Sequence, residues 1–192
     1  MSSNTINTTA AGTGEVGQVP TVGKAGGIAI AALRVALGFV FLWAFLDKTF
    51  GWGYATPNEK SWISGGSPTK GFLSHVDVGP LQSAFNNIAG TWWADWLFML
   101  GLLTIGVALI LGVGLRLAAA AGGLLLALMW AAEWPMAQFT ASGTATSSSN
   151  PFMDYHLIYA LSMIVLAVIG AGNYFGLGKW WSGVTGDRTW LR

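Results

Sequence analysis

The amino-acid sequence predicts an all-α integral membrane protein: a bundle of four transmembrane helices with a short outer helix lying in the interface. Three observations predict it. Of 192 residues, 53% are hydrophobic and only 9% are charged, against roughly a quarter charged in soluble domains, so a water-facing surface could not be covered. Four apolar runs, residues 26–46, 92–113, 115–134 and 154–173, each approach the ~20 residues that cross ~30 Å of hydrocarbon. Leucine and alanine dominate these runs, with Pro135 and Pro151 at their edges. A helix pairs every backbone group within its own segment, which lipid demands.

Taken in order, residues 1–23 are polar and read as a disordered cytoplasmic tail, with no separate cleavable signal peptide. Residues 24–181 form the membrane domain and 182–192 a cytoplasmic C-terminal tail. The loop over residues 50–91 is too long to be structureless. Within it Pro80 precedes Leu81, Phe85 and Ile88 at helical spacing, which predicts the short interfacial helix. The second and third runs are separated only by Gly112-Val113-Gly114-Leu115-Arg116, a tight helical hairpin. Residues 143–149, GTATSSS, read as a flexible connector, and Asn150-Pro151 as the cap and first-turn proline of the fourth helix. Small residues at 118–123, with Gly101 and Gly106, predict close helix contacts.

Charge bias gives an orientation. Lys24, Arg34, Arg116, Lys179, Arg188 and Arg192 fall on one side, and Lys48, Lys60 and Lys70 on the other. The positive-inside rule places the first group, and both termini, in the cytoplasm. Arg34 lies two or three turns inside the first run, and is expected to snorkel to the inner surface; the functional alternative is an anion or quinone contact. An internal echo links residues 38–48 to 123–134, each running from glycine through tryptophan to an acid. Two helical hairpins related by an axis along the membrane normal would produce it, and so would chance.

Net charge is +1, with no basic run, so the lipid bilayer and not nucleic acid is the expected partner. The chain has no cysteine, which removes disulfides, thiolate-held clusters and dithiol redox chemistry. Any electron transfer must use a bound cofactor or the substrate itself. His75 and His156 lie on unlike elements with no supporting motif, so neither metal nor haem is expected.

Six of the eight acidic residues fall on the outer side. Asp47, Asp95, Glu133 and Asp154 mark the outer ends of the four runs, so folding is expected to gather them into one polar pocket with Lys48, His156, Trp43 and Trp130. The plainer reading is that they mark the interface. It suits Asp95 and Asp154, which stand in first turns where the helix dipole favours an anion by ~0.3–1 kcal/mol. Asp47 and Glu133 stand at C-terminal ends, where the dipole opposes negative charge. Lys48 follows Asp47 directly, whereas Glu133 has no basic neighbour in sequence; it should be paired, with Lys48 for instance, or protonated. Asp154 and His156, two apart on a helix, should point to different faces, while His156 and Tyr159 share one. Of the 11 tryptophans, Trp92, Trp93, Trp96, Trp130, Trp134, Trp180 and Trp181 fall near span boundaries, as an aromatic belt does.

The stretches LRVALGFVFLWAFLDKTFG (33–51), GYATP (53–57), WISGGSPTKGFL (62–73), WADWLFMLGLLTIGVALILGVGLR (93–116) and NPFMDYHLIYAL (150–161) resemble the DoxX/DoxD family of small bacterial membrane proteins. The resemblance implies a four-helix bundle in the bacterial plasma membrane. Its DoxD branch is named for the membrane subunit of thiosulfate:quinone oxidoreductase, which couples thiosulfate oxidation to tetrathionate with quinone reduction. Other relatives are tied to oxidative-stress or thiol-redox complexes.

Two readings of function follow. In the first the chain is the membrane subunit of a quinone-linked oxidoreductase, with thiosulfate as a candidate substrate and a second subunit as partner. Glu133, Asp47 and Lys48 are then the candidate catalytic residues, with Trp43, Trp130, Asp95, Asp154 and His156 around a quinone acceptor. A ring of four acids repels a thiosulfate dianion unless several are neutral, whereas a neutral quinone meets no such barrier. In the second reading the chain is a non-catalytic scaffold that docks a redox enzyme through Trp62 and Phe72 of the large outer loop. A transporter fits less well, since transport sites usually sit near the midplane. Whether copies form a homo-oligomer stays open.

Overall fold

A computed structural model describes residues 22–191; the tail expected over residues 1–23 therefore lies almost wholly outside the described residues. Seven α-helices are described: α1 (Lys24–Phe50), α2 (Lys70–Leu73), α3 (Gln82–Ile88), α4 (Trp92–Leu111), α5 (Leu115–Glu133), α6 (Tyr155–Val168) and α7 (Gly178–Thr185). By length and composition α1, α4 and α5 can each cross a membrane. The apolar α6 has 14 residues and extends only ~21 Å, short of a full crossing, so the fourth run is not one uninterrupted helix.

Helix α1 packs chiefly on α4 and α5 on α6, while the α4–α5 contact joins the pairs into one bundle. Its core runs through Leu37, Phe41, Met99, Leu102, Ile105, Leu109, Leu126, Met163 and Leu166. Leu97, Leu124 and Val168 stay more than 60% exposed on the outside of the bundle, as lipid-facing residues do and as a water-soluble bundle would avoid. Close approach of α1 and α4 depends on two glycines. A Cβ on Gly106 would stand 2.8 Å from the Leu42 nitrogen, and one on Gly38 would stand 2.9 Å from the Gly106 carbonyl. Gly122 likewise makes room for the Met163 side chain. Gly101 and Gly123 have no such role: the nearest atom to a Cβ on Gly101 is 3.9 Å away, and nothing lies within 4 Å of one on Gly123.

The hairpin between α4 and α5 turns on Gly112 (φ 74°) and Gly114 (φ 58°), both left-handed, a conformation open to residues without a Cβ. Helix α1 runs four residues past the expected 46 before Gly51 (φ 66°) ends it, so Asp47 and Lys48 are helical residues. The fourth helix begins later than Asn150-Pro151 suggests. Asp154 is its cap, accepting a bond from the Leu157 N–H at 3.2 Å. Asn150 closes a turn ahead of it, its Oδ1 accepting from the N–H groups of Phe152 and Met153, each at 3.0 Å. The presumed flexible connector is a closed turn, with Thr140 N–H bonded to the Thr144 carbonyl at 2.8 Å and Thr146 N–H to that of Gln138 at 2.9 Å. Helix α7 spans the boundary drawn between residues 181 and 182. The chain after it folds back onto the hairpin, with Trp181 Nε1 donating to the Leu191 carbonyl (2.6 Å) and Arg116 to that of Thr189 (2.9 Å).

Arg34 does not snorkel. It is fully buried, and its guanidinium donates to the carbonyls of Leu109 and Ile110 (2.7 Å for Ile110) at the end of α4, and to those of Tyr174 (3.5 Å) and Phe175 (3.2 Å) beyond α6. The last carbonyls of a helix have no partners of their own and carry the negative end of its dipole. A cation held among them is therefore stabilised inside the bundle, which removes the need to reach water.

Candidate functional site

The four helix-end acids do different work. Asp47 is buried, and its two carboxylate oxygens accept from the N–H groups of Tyr54 (3.3 Å) and Ala55 (2.9 Å). Asp95, also buried, takes three donors on one oxygen: Ser67 Oγ at 2.9 Å, Thr69 N–H at 2.9 Å and Thr69 Oγ1 at 2.6 Å. Both acids therefore tie the large loop between α1 and α4 down onto those two helices. Those donors also answer the dipole that opposes an anion at Asp47.

Lys48 is not paired with Glu133: among the described residues no such ion pair lies within 4.0 Å, and the Lys48 ammonium sits 5.9 Å from the centre of the Phe98 ring. Trp43 belongs to an aromatic cluster with Phe39, Trp52 and Tyr54, at centroid distances of 5.7, 5.3 and 5.1 Å, on α1 and the loop that follows it. Trp62, taken by the scaffold reading as an exposed surface, is half-buried edge-on against Trp96 at 4.8 Å.

What comes together is Glu133, Asp154 and His156. One ligating atom from each lies within 4.8 Å of the others. His156 is fully buried, its Nδ1 2.8 Å from Asp154 Oδ2 and its Nε2 4.0 Å from Glu133 Oε1. Tyr155 donates its hydroxyl to the same Glu133 oxygen at 3.0 Å. Two residues apart on a helix would put Asp154 and His156 on different faces, yet they meet. Asp154 is the cap, with extended backbone (φ −99°, ψ −175°), so helical spacing does not apply to it, and its side chain folds over the first turn.

Glu133 and Asp154, with Tyr155, line a cleft of about 920 Å³ between the end of α5 and the start of α6, walled by Phe72, His75 and Asp77 of the large loop and by the turn after α5, while His156 lies buried beneath it. The loop is seated by Val76 and Phe85 packing on Ala132, and by Asp77, which accepts from the Ala141 N–H at 3.2 Å. Asp77, Glu133 and Asp154 line this cleft, and among the described residues no lysine or arginine does. Electrostatically it receives cations and neutral groups, and repels anions. His75, Asp77 and Tyr155 were not candidates from sequence. Tyr155 was within reach of one signal, since it follows a capping acid directly.

Two buried donor or acceptor atoms near this end lack partners among the described residues: His156 Nε2 and the indole nitrogen of Trp130. Trp130 lies one turn before Glu133 on α5, its ring 5.5 Å from that of Trp134. Trp134 itself caps α5 in the left-handed region (φ 41°). Its ring lies against Gly79 (φ 101°), where a Cβ would come within 2.9 Å of it.

Comparison with curated proteins and with solved structures finds no match to this chain. A family comparison does: the DoxX model matches residues 29–135, from the second turn of α1 to just beyond α5 and so including Glu133 and Trp130. With more than half of the 192 residues matched, this apolar helical bundle belongs to the DoxX family.

Proposed function

We propose that the chain is the membrane subunit of a quinone-linked oxidoreductase, and that it takes the quinone ring at the outer end of α5. The observation that carries this reading is the Trp130 indole N–H, buried with no acceptor among the described residues. An indole is a donor only, and a buried donor left unpaired costs about 1–3 kcal/mol. A neutral carbonyl compound dissolved in the bilayer satisfies it without bringing charge into the bundle. A quinone is such a compound, and the acids beside the cleft do not oppose it. Lys48, half-buried on α1 beside Phe98 and without an ion pair among the described residues, is a further unpaired donor, on a different helix pair.

Thiosulfate is the reductant suggested by the DoxD branch of the family. The acids of the cleft argue that a second, soluble-facing subunit receives it, leaving the membrane subunit the quinone half of the reaction. The test uses purified full-length protein and a short-chain quinone analogue. Trp130→Phe keeps the ring and removes the donor, and should weaken analogue binding about tenfold, the equivalent of ~1.4 kcal/mol. Thermal stability of the ligand-free protein should not fall, since the unpaired donor is gone. Wild-type protein that binds no analogue, or a variant that binds it equally well, defeats the reading.

A further inference from the structure

The geometry points to a divalent transition-metal site at the outer ends of α5 and α6, with His156 Nε2 and a Glu133 carboxylate oxygen as direct ligands and Asp154 as the group that holds the imidazole. It departs from the expectation of no metal, and it is independent of the quinone reading, which rests on Trp130.

The tautomer carries the first step. Asp154 Oδ2 lies 2.8 Å from His156 Nδ1, and an ionised carboxylate only accepts, so Nδ1 keeps the proton. In the neutral ring the Nε2 lone pair is then free. That nitrogen is buried and has no hydrogen-bond partner among the described residues. Its closest charged neighbour is Glu133 Oε1 at 4.0 Å, too far for a hydrogen bond. A protonated ring would face Glu133 Oε1 across the same 4.0 Å as an ion pair, without a hydrogen bond in this geometry.

A metal cation between Nε2 and the carboxylate would engage both groups directly. Ligands bound at ~2.0–2.2 Å to one tetrahedral ion stand ~3.4 Å apart, so the 4.0 Å separation needs a closure of about half an ångström. Glu133 is 37% exposed at its side chain, so a shift of that size, made together with the Tyr155 hydroxyl bonded to it, meets little packing. A carboxylate on the far nitrogen of a ligating histidine fixes the ring and raises its basicity, which is the usual outer-shell arrangement. The Tyr155 hydroxyl orients Glu133 in the same way, at 3.0 Å. The cleft above carries Asp77, Glu133 and Asp154 with no lysine or arginine among its described lining residues, so the local potential draws a cation in, and water completes the coordination. One imidazole with carboxylate oxygen and no thiolate suits zinc, iron(II) or manganese.

The experiment is calorimetric titration of Zn²⁺ into the full-length protein, purified in detergent, stripped with chelator and freed of any histidine tag. The expected result is one ion per chain with micromolar or tighter affinity. Absorption at the zinc edge should report one imidazole and otherwise oxygen ligands. Glu133→Gln, at a partly exposed position, should keep the thermal midpoint of the metal-free protein and weaken binding at least tenfold. Asp154→Asn should weaken it about 10–100-fold, and His75→Gln should leave it unchanged. No saturable one-to-one binding below about 100 µM overturns the proposal. So does full affinity in Glu133→Gln, or loss in His75→Gln alone, which would place the ion on the loop.

Discussion

Arg34→Met tests the claim that a buried cation ties α1, the end of α4 and the segment after α6 together. Methionine keeps most of the side-chain volume and removes the charge, so the desolvation of the guanidinium is recovered along with the loss of its bonds. What remains is the set of carbonyls. The Leu109 carbonyl keeps a second donor, the Gly112 N–H at 3.2 Å. Those of Ile110 and Phe175, at 2.7 and 3.2 Å from the guanidinium, lose theirs. Both bonds are part-buried, so an unpaired acceptor costs toward the lower part of about 1–3 kcal/mol, and the variant should be about 2–4 kcal/mol less stable. For a chain of this size that lowers the thermal midpoint by something like 10 °C. The assay is thermal unfolding of the purified protein in detergent, followed by tryptophan fluorescence. Arg34→Lys should fall between wild type and methionine, because an ammonium reaches fewer of the carbonyls. If Arg34→Met unfolds at the wild-type temperature, the guanidinium is not bonded as described and the snorkelling expectation returns.

Gly106→Leu forces α1 away from α4, since even a Cβ would lie 2.8 Å from the Leu42 nitrogen. Overpacking of this kind costs about 1–3 kcal/mol, readable as a midpoint several degrees lower. Asp95→Ala removes the acceptor of three bonds from Ser67 and Thr69. Limited proteolysis should then cut the 61–75 loop at least several times faster while the bundle itself resists. Gly79→Ala places a methyl group against Trp134 at a left-handed position (φ 101°). It should loosen the cleft wall and raise protease sensitivity on the 71–80 segment, with α1–α4 packing unaffected.

The bundle was legible because lipid imposes one strong rule: long apolar runs must be helices, so α1, α4 and α5 follow from composition alone. The short helix α3 was legible as well, from Leu81, Phe85 and Ile88 behind Pro80. The fourth run was less so, because hydropathy does not register the left-handed turn at Gly170 that follows α6. Site residues were harder still. Asp47 and Asp95 look like Glu133 in sequence, yet the first two are bonded to loop backbone whose fold no local pattern predicts. Asp154 and His156 were separated by applying helical periodicity to a capping residue, which has no helical backbone. A cap acid two residues before a histidine is a pattern that sequence reading can use, provided the helix start is placed first.

The buried state of Arg34 also changes the argument for orientation. The sequence count set six basic residues on the inner side against three on the outer. Arg34 is withdrawn into the bundle and Lys48 lies half-buried against Phe98, so neither is a free surface charge of the kind that the positive-inside rule weighs. Five remain against two, a steeper ratio than before. The absence of cysteine from the chain makes this directly testable, because a single introduced thiol is the only one present. Ser147→Cys, on the exposed turn beside the cleft, should be labelled in intact cells by a membrane-impermeant maleimide. Gly183→Cys, exposed on α7, should be labelled only after the cells are opened. The reverse pattern would put the acidic cleft in the cytoplasm, and any ion or partner subunit would then have to reach it from that side.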